Sequence, residues 1–150
     1  MLKDFCFRVK AEPATRRLVT VTSDDKPKIA VATAAEFRDG IAGVWSPEAL
    51  LVAATATSYA LTLSAILRRR SIPVEDLAVT GVGHVTRRAD GAFGFVVIEL
   101  AVELWTQDAF ERQLRSACAA AQPACIAAAA LGVPVEVELK VHTKPVAVTA

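Results

Sequence analysis

The chain has 150 residues, of which 53% are hydrophobic and 22% charged, and its net charge is +1. This composition is typical of one globular domain with a sizeable core and excludes a disordered chain. The arginines stand in short, separate runs, so we expect no nucleic-acid surface. We therefore predict a single domain over residues 1–150.

Short strands separated by turn residues occupy the first third of the chain. The pattern predicts strands at Phe5–Arg8, Leu18–Thr22 and Lys28–Thr33, with a turn at Asp24–Pro27. A loop rich in glycine follows over residues 36–44. The segment Met1–Lys10 mixes charged with apolar residues, so we expect no signal peptide.

A long apolar helix is predicted from Ser46 to about residue 70. Serine can cap the first N–H groups, Pro47 suits the first helical position, and Glu48 opposes the helix dipole. The stretch Ala49–Leu67 contains five serine and threonine residues among its apolar residues. We interpret it as a buried core helix and not as a membrane span.

The second half of the chain predicts a hairpin, a helix and a last strand. Leu77–Thr86 and Phe93–Trp105 flank the tight-turn pair Asp90-Gly91. Val133–His142 alternates between apolar and polar residues, which indicates a strand with one wet face.

Between the hairpin and the last strand, a second helix is predicted over about Gln107–Leu131. Thr106 is its expected cap and Gly132 its expected stop. Pro123 must bend or break it.

This order of elements indicates an α+β fold, with an antiparallel sheet and two main helices, the first buried and central. A helix as apolar as residues 49–67 needs cover on all sides. The sequence therefore predicts a homodimer that buries both copies of the helix.

Three cysteines, Cys6, Cys118 and Cys125, show no metal-type spacing and are odd in number. They fit a reducing, cytoplasmic location, and we expect neither a metal nor an organic cofactor. His84 and His142 fall on predicted strands without carboxylate or cysteine neighbours, so we expect surface or edge positions for them and not metal binding.

Two segments carry a resemblance to a known family. The run Ser46–Leu50, Ser-Pro-Glu-Ala-Leu, is similar to the motif that opens the central helix of the osmotically inducible and organic hydroperoxide resistance (OsmC/Ohr) family. Cys125–Leu131 and the following Gly132–Glu136 resemble that family's second-cysteine motif and closing strand. Ser58, ten residues after Glu48, then stands at the position of the family's reactive cysteine.

The resemblance implies an intertwined homodimer with two sites near the subunit interface, each a thiol peroxidase for organic hydroperoxides. In the family, the first cysteine attacks the peroxide and the second closes a disulfide. Cys125 matches that second cysteine, and Glu48 matches the active-site glutamate. Arg16 or Arg17 is the candidate for the family's arginine near the N-terminal strands.

Serine at position 58 cannot form a sulfenic acid, so the leading hypothesis is a divergent member whose peroxidase activity is lost or weak. One alternative is a binding module for a small hydrophobic ligand at the dimer interface. Another is a peroxidase that relies on Cys125 and an external thiol.

Structural interpretations of the same residues stay open. Ser58 could be a small helix residue bonded back to the preceding turn, Cys125 a buried apolar residue, and Glu48 a stabiliser of the helix dipole. Cys118 and Cys125 are separated by about 10 Å of unbroken helix, too far for a disulfide without rearrangement. Pro123 could change that distance, so a Cys118–Cys125 pair stays an alternative to the lost couple. Glu48 and Ser58 are separated by about 15 Å of helix, so any joint pocket is predicted to involve the dimer.

Overall fold

The computed structural model describes residues 3–107 and 110–143. The chain divides into two compact units, Met1–Leu51 and Val52–Ala150, so a single domain over residues 1–150 stays a prediction. In chain order the elements are β1 (Lys10–Pro13), β2 (Val19–Thr22), β3 (Ile29–Val31), α1 (Pro47–Arg69), β4 (Asp76–Arg87), β5 (Phe93–Thr106), α2 (Glu111–Ala124), α3 (Ile126–Ala130) and β6 (Val135–Thr143). This order confirms the predicted α+β class.

The first unit contains a three-stranded antiparallel sheet in the order β1-β2-β3. The prediction of a strand at Phe5–Arg8 is wrong, because the first strand begins at Lys10. Lys10 pairs with Thr22, the last residue of β2. Residues before Lys10 therefore extend past the end of β2, and Phe5 and Phe7 are exposed.

The second unit contains a sheet in the order β4-β5-β6. β4 and β5 form the predicted antiparallel hairpin, and Gly91 takes a positive φ of 84° in its turn. β6 pairs with β5 in parallel, from Ile98 opposite Val135 to Thr106 opposite Thr143. The sheet is therefore mixed where the sequence predicted a wholly antiparallel one, because the helices between β5 and β6 return the chain to the same end of the sheet.

α1 begins as predicted. The Ser46 hydroxyl accepts a hydrogen bond from the Ala49 N–H at 3.1 Å, and Pro47 is the first helical residue. The buried side chains of the helix lie on one stripe, at Thr55, Ala56, Tyr59, Leu63, Ile66 and Leu67. On the other side, Leu61 is 72% exposed, so this one chain covers only part of the helix.

By length and composition alone, α1 is apolar enough to cross a membrane. A core helix of a globular protein passes the same test, and the buried stripe of α1 packs in the core of the second unit.

Glycines in β4 allow α1 to lie close to the sheet. A Cβ atom at Gly83 would lie 2.6 Å from the Val52 side chain and 2.5 Å from the Phe95 ring. Alternate residues of β5 complete the core on the same side of the sheet, namely Ile98, Leu100, Val102 and Leu104.

The predicted second helix is two helices. α2 ends at Ala124, Cys125 has the extended backbone angles φ −76° and ψ 106°, and α3 follows. The break lies two residues after Pro123, which has no N–H to donate to the helical ladder.

The predicted start of this helix is also wrong, and its predicted end at about Leu131 is one residue late. Phe110 is the N-cap of α2, and Thr106 ends β5, where its hydroxyl donates to the Pro73 carbonyl at 3.2 Å. Residues 108 and 109, which the predicted helix included, lie outside the described residues. At the other end the helix stops at Ala130 with an extended Leu131, one residue before the expected Gly132.

Candidate active site

Ser58 and Cys125 meet in the second unit. The Cys125 Sγ lies 3.3 Å from the Ser58 Oγ and 4.0 Å from the Thr55 carbonyl oxygen. Cys125 is fully buried and Ser58 half-buried. Cys125 separates α2 from α3, and its thiol contacts α1 at this break. The two residues that the resemblance singled out are therefore neighbours in space.

The contact bears on the structural interpretation of Ser58. A serine in a helix often bonds back to the carbonyl of the preceding turn. The neighbouring Thr57 does so, with its hydroxyl donating to the Ala53 carbonyl at 2.7 Å. The Ser58 hydroxyl accepts a hydrogen bond from the Cys125 thiol, and a functional role for Ser58 stays a prediction.

A second contact joins α1 to α2 beside this pair. The fully buried Tyr59 donates its hydroxyl to the Cys118 carbonyl at 3.0 Å. Burial raises the pKa of Tyr59 and the pKa of Cys118, although the Tyr59 hydroxyl and the charge of Arg115 lower the Cys118 value in part. The Cys118 thiol is therefore protonated and weakly nucleophilic near neutral pH.

Helical spacing could have predicted this grouping. Thr55, Ser58 and Tyr59 stand at positions i, i+3 and i+4 of α1, so they share one face. Cys118 and Cys125 are seven residues apart, which is two helical turns. Sequence reasoning considered these residues one at a time and missed the buried Tyr59–Cys118 hydrogen bond.

The cysteines are all free thiols. Because α2 stays helical through Ala124, the chain rises by about 10 Å between Cys118 and Cys125. That separation does not suit a disulfide, as the sequence had indicated.

Glu48 lies in the first turn of α1, where its charge favours the helix dipole. One of its carboxylate oxygens is buried and has no hydrogen-bond partner in the part of the chain that the structure describes. A buried carboxylate oxygen without a partner is costly. Its place in a joint pocket with Ser58 stays a prediction.

Arg17 is engaged within the first unit. Its Nε and Nη2 donate to the Asp39 carbonyl at 3.3 and 3.0 Å, and Nη2 also donates to the Gly40 carbonyl at 2.9 Å. Asp39 has a positive φ of 65°. Arg17 thus holds a strained loop turn, whereas Arg16 is exposed. Which arginine serves a site stays a prediction.

The expectation that the histidines lack carboxylate neighbours is wrong. The His84 Nε2 lies 2.9 Å from Glu99, and the His142 Nε2 lies 3.0 Å from Glu103. Both glutamates stand on the wet face of β5, and the histidines come from β4 and β6, so the pairs arise from strand register. Among the described residues, no group of three potential metal ligands is found.

A cleft of about 460 Å³ runs along the exposed side of α1. Leu61, Ser64 and Arg68 line it from the helix, and Ile72 and Val74 line it from the segment that follows. Neither Ser58 nor Cys125 is among its lining residues. The predicted binding of a small hydrophobic ligand at a dimer interface stays a prediction.

The buried Tyr59 and Cys118 predict how stability changes with pH. Unfolding returns their pKa values to the ordinary 10.0 and 9.0, below the raised values of the folded chain. The unfolded chain therefore loses these protons first, and the stability that burial of the neutral groups contributes falls as the pH rises above about 9.

We expect urea denaturation between about pH 7 and pH 10.5 to show a free energy of unfolding that declines at the alkaline end. The decline should be shallower in Cys118→Ala and in Tyr59→Phe, and unchanged in Cys6→Ala, whose thiol is exposed. The same alkaline slope in all three variants would contradict this origin.

Comparison with known proteins adds to this geometry. Residues 40–140 match the family model described as OsmC-like protein. Among solved structures, an OsmC-like protein from Mycoplasma pneumoniae superposes with a TM-score of 0.79 at 18% identity, covering 93% of this chain and 99% of that one. An organic hydroperoxide resistance protein from Elizabethkingia anophelis gives 0.77 at 19%, covering 96% and 100%.

The organic hydroperoxide resistance protein OhrB of Bacillus subtilis gives a TM-score of 0.67 at 24% identity, covering 91% of this chain and 98% of that one. At such identities the structural likeness shows a shared fold. No curated protein matches the chain by sequence.

Proposed function

We propose that this chain, which belongs to the OsmC-like family, keeps the geometry of a two-cysteine peroxide site but carries serine in place of the attacking thiol. Reduction of organic hydroperoxides by the two-cysteine route is then lost or greatly weakened. The family match spans both Ser58 and Cys125, and three of the structurally similar proteins are named for organic hydroperoxide resistance.

One observation carries the proposal, the distance of 3.3 Å between the Cys125 Sγ and the Ser58 Oγ. Sulfur atoms in a disulfide are about 2 Å apart. A sulfur at position 58 would need to approach Cys125 by only about 1 Å, which is within the reach of side-chain rotation. The site is thus arranged for a pair of thiols and lacks one of them.

The lack of a sulfur atom at position 58 determines whether two-cysteine reduction of a peroxide is possible. In two-cysteine turnover a thiolate attacks a peroxide oxygen, the O–O bond breaks, and the alkoxide leaves and takes up a proton to become an alcohol. The second thiol then attacks the resulting sulfenic acid, forming a disulfide and releasing water, and an external thiol reduces that disulfide. A serine oxygen is not ionised near neutral pH and has no sulfenic state.

Cys125 is poorly placed to take over the attack. In the described part of the chain, the groups that contact its sulfur are the Ser58 hydroxyl and the Thr55 carbonyl. Neither group carries the positive charge found beside reactive cysteines. A peroxidase that relies on Cys125 is therefore disfavoured.

The family resemblance also implies a glutamate and an arginine, and Glu48 and Arg16 or Arg17 are the candidates. The buried Glu48 oxygen without a partner among the described residues fits a carboxylate that receives a cation or a hydrogen-bond donor from elsewhere. Because the Arg17 guanidinium already bonds two loop carbonyls, Arg16 is the better candidate for that donor.

We expect Ser58→Cys to consume an organic hydroperoxide in the presence of a dithiol reductant, while the parent chain consumes it no faster than buffer. Peptide mapping of the oxidised variant without reductant should find a disulfide between the introduced sulfur and Cys125.

Thr57→Cys is the matched control, since it adds a thiol one residue away on an exposed position of α1, and it should stay inactive. Cys125→Ala in the Ser58→Cys background should abolish the disulfide. A variant that folds but never pairs its new sulfur with Cys125 would show that the site is not the one proposed.

The proposed assembly is a homodimer in the cytoplasm. The apolar side chain of Leu61 on α1 is 72% exposed. Burial against a second copy of α1 would remove that apolar surface from water. Three thiols without a disulfide fit a reducing compartment.

Sedimentation is expected to give about twice the chain mass of 15.9 kDa. Leu61→Glu should shift the protein to a monomer, because it places a charge in the proposed interface. Val82→Glu changes an exposed apolar residue on β4 and should leave the dimer intact. A monomeric parent chain, or equal effects of both variants, would refute this interface.

A further inference from the structure

The short helix α3 lies next to a fully buried thiol but contains no buried residue itself. Cys125 is completely inaccessible, whereas none of the residues Ile126–Ala130 is buried. Ile126, the first residue of the helix, is 82% exposed. The thiol is therefore fully buried, although the helix that follows it is not.

The helix α3 is stabilised only weakly, by its own length and by its packing. It has five residues, Ile-Ala-Ala-Ala-Ala, and helices shorter than about 12 residues are marginal without tertiary packing. None of its side chains has a polar group that could bond to a neighbour. Its packing against the core comes from the partly buried Ala127 and Ala128 and from the following Leu131.

α2 is anchored much more firmly. Leu114, Ala117, Cys118 and Ala121 are buried in the core, and the Cys118 carbonyl accepts the Tyr59 hydrogen bond. The extended backbone at Cys125 separates the two helices, and Pro123 cannot donate in the last turn of α2. The regular hydrogen-bond ladder therefore does not run from α2 into α3, and α3 can detach while α2 stays in place.

We propose that α3 is a lid over the Cys125 thiol, which opens by local unfolding and gives small molecules access to that thiol. The lid spans Ile126–Ala130, and its hinge is the extended Cys125. Its importance rests on the proposed function of the pair, but the test reads thiol accessibility and not turnover, so the lid and the proposed function can fail separately.

The test is modification of the native protein by iodoacetamide, followed for each cysteine by peptide mass spectrometry at increasing urea. Cys6 is exposed and gives the rate of an accessible thiol. Cys125 should react at a rate that depends only slightly on urea, because local opening exposes little surface. Cys118 should react only through global unfolding, with a steep urea dependence.

Two glycine variants separate the openings. Ala129→Gly lies in α3 and Ala119→Gly in α2, and both positions are exposed. Glycine for alanine in a helix shifts the opening equilibrium by up to about fivefold. Ala129→Gly should accelerate labelling of Cys125 by up to about that factor, whereas Ala119→Gly should accelerate labelling of Cys118 and leave Cys125 unchanged.

Two results would overturn the lid. One is a Cys125 that reacts with the same steep urea dependence as Cys118, since both would then be exposed by global unfolding alone. The other is a Cys125 whose labelling is accelerated equally by both variants, since its exposure would then require α2 to open as well.

Discussion

The packing of the second unit depends on one face of α1, which is formed by Thr55, Ser58 and Tyr59. It receives Cys125 through the Ser58 hydroxyl and the Thr55 carbonyl, and it receives α2 through the hydrogen bond from Tyr59 to the Cys118 carbonyl. The same face continues into the core through Leu63, Ile66 and Leu67. A change on this face therefore affects packing and chemistry together, which is why a single atom at position 58 can silence the proposed site without removing the fold.

Burial has opposite consequences for stability and reactivity at this face. Removing Tyr59 and Cys118 from water raises the pKa of both groups, so both are neutral at physiological pH. A neutral, buried thiol packs as an apolar side chain and reacts slowly. Cys125 shares the burial, and the proposed two-cysteine route needs both a partner sulfur and a way for peroxide to enter. Ser58 supplies no sulfur, and the proposed opening of α3 supplies the entry.

Several elements could be predicted from sequence because their signals are local. The start of α1 at Ser46-Pro47 and the hairpin around Gly91 depend on capping and turn chemistry within a few residues. The family resemblance singled out Ser58 and Cys125, which are in contact in the structure, while their role stays a prediction.

The features that sequence missed depend on partners distant in the chain. No short sequence pattern predicts that β6 runs parallel to β5. Nor does one predict that strand pairing brings His84 and His142 to glutamates of β5. Pro123 predicted that the second helix breaks, but it did not predict where. The break lies at Cys125, and the thiol of the same residue contacts α1. The segment Phe5–Arg8 has strand-forming residues, but within the described ranges no strand pairs with it, since β2 ends opposite Lys10.

The most direct test of the central claim is intact-protein mass spectrometry of the parent chain after exposure to a stoichiometric amount of an organic hydroperoxide. If Ser58 has removed the attacking group, Cys125 and Cys118 should stay as thiols and the peroxide should persist, with oxidation confined to the exposed Cys6. Rapid loss of peroxide together with oxidation of Cys125, at a rate comparable to that of the Ser58→Cys variant, would contradict the account.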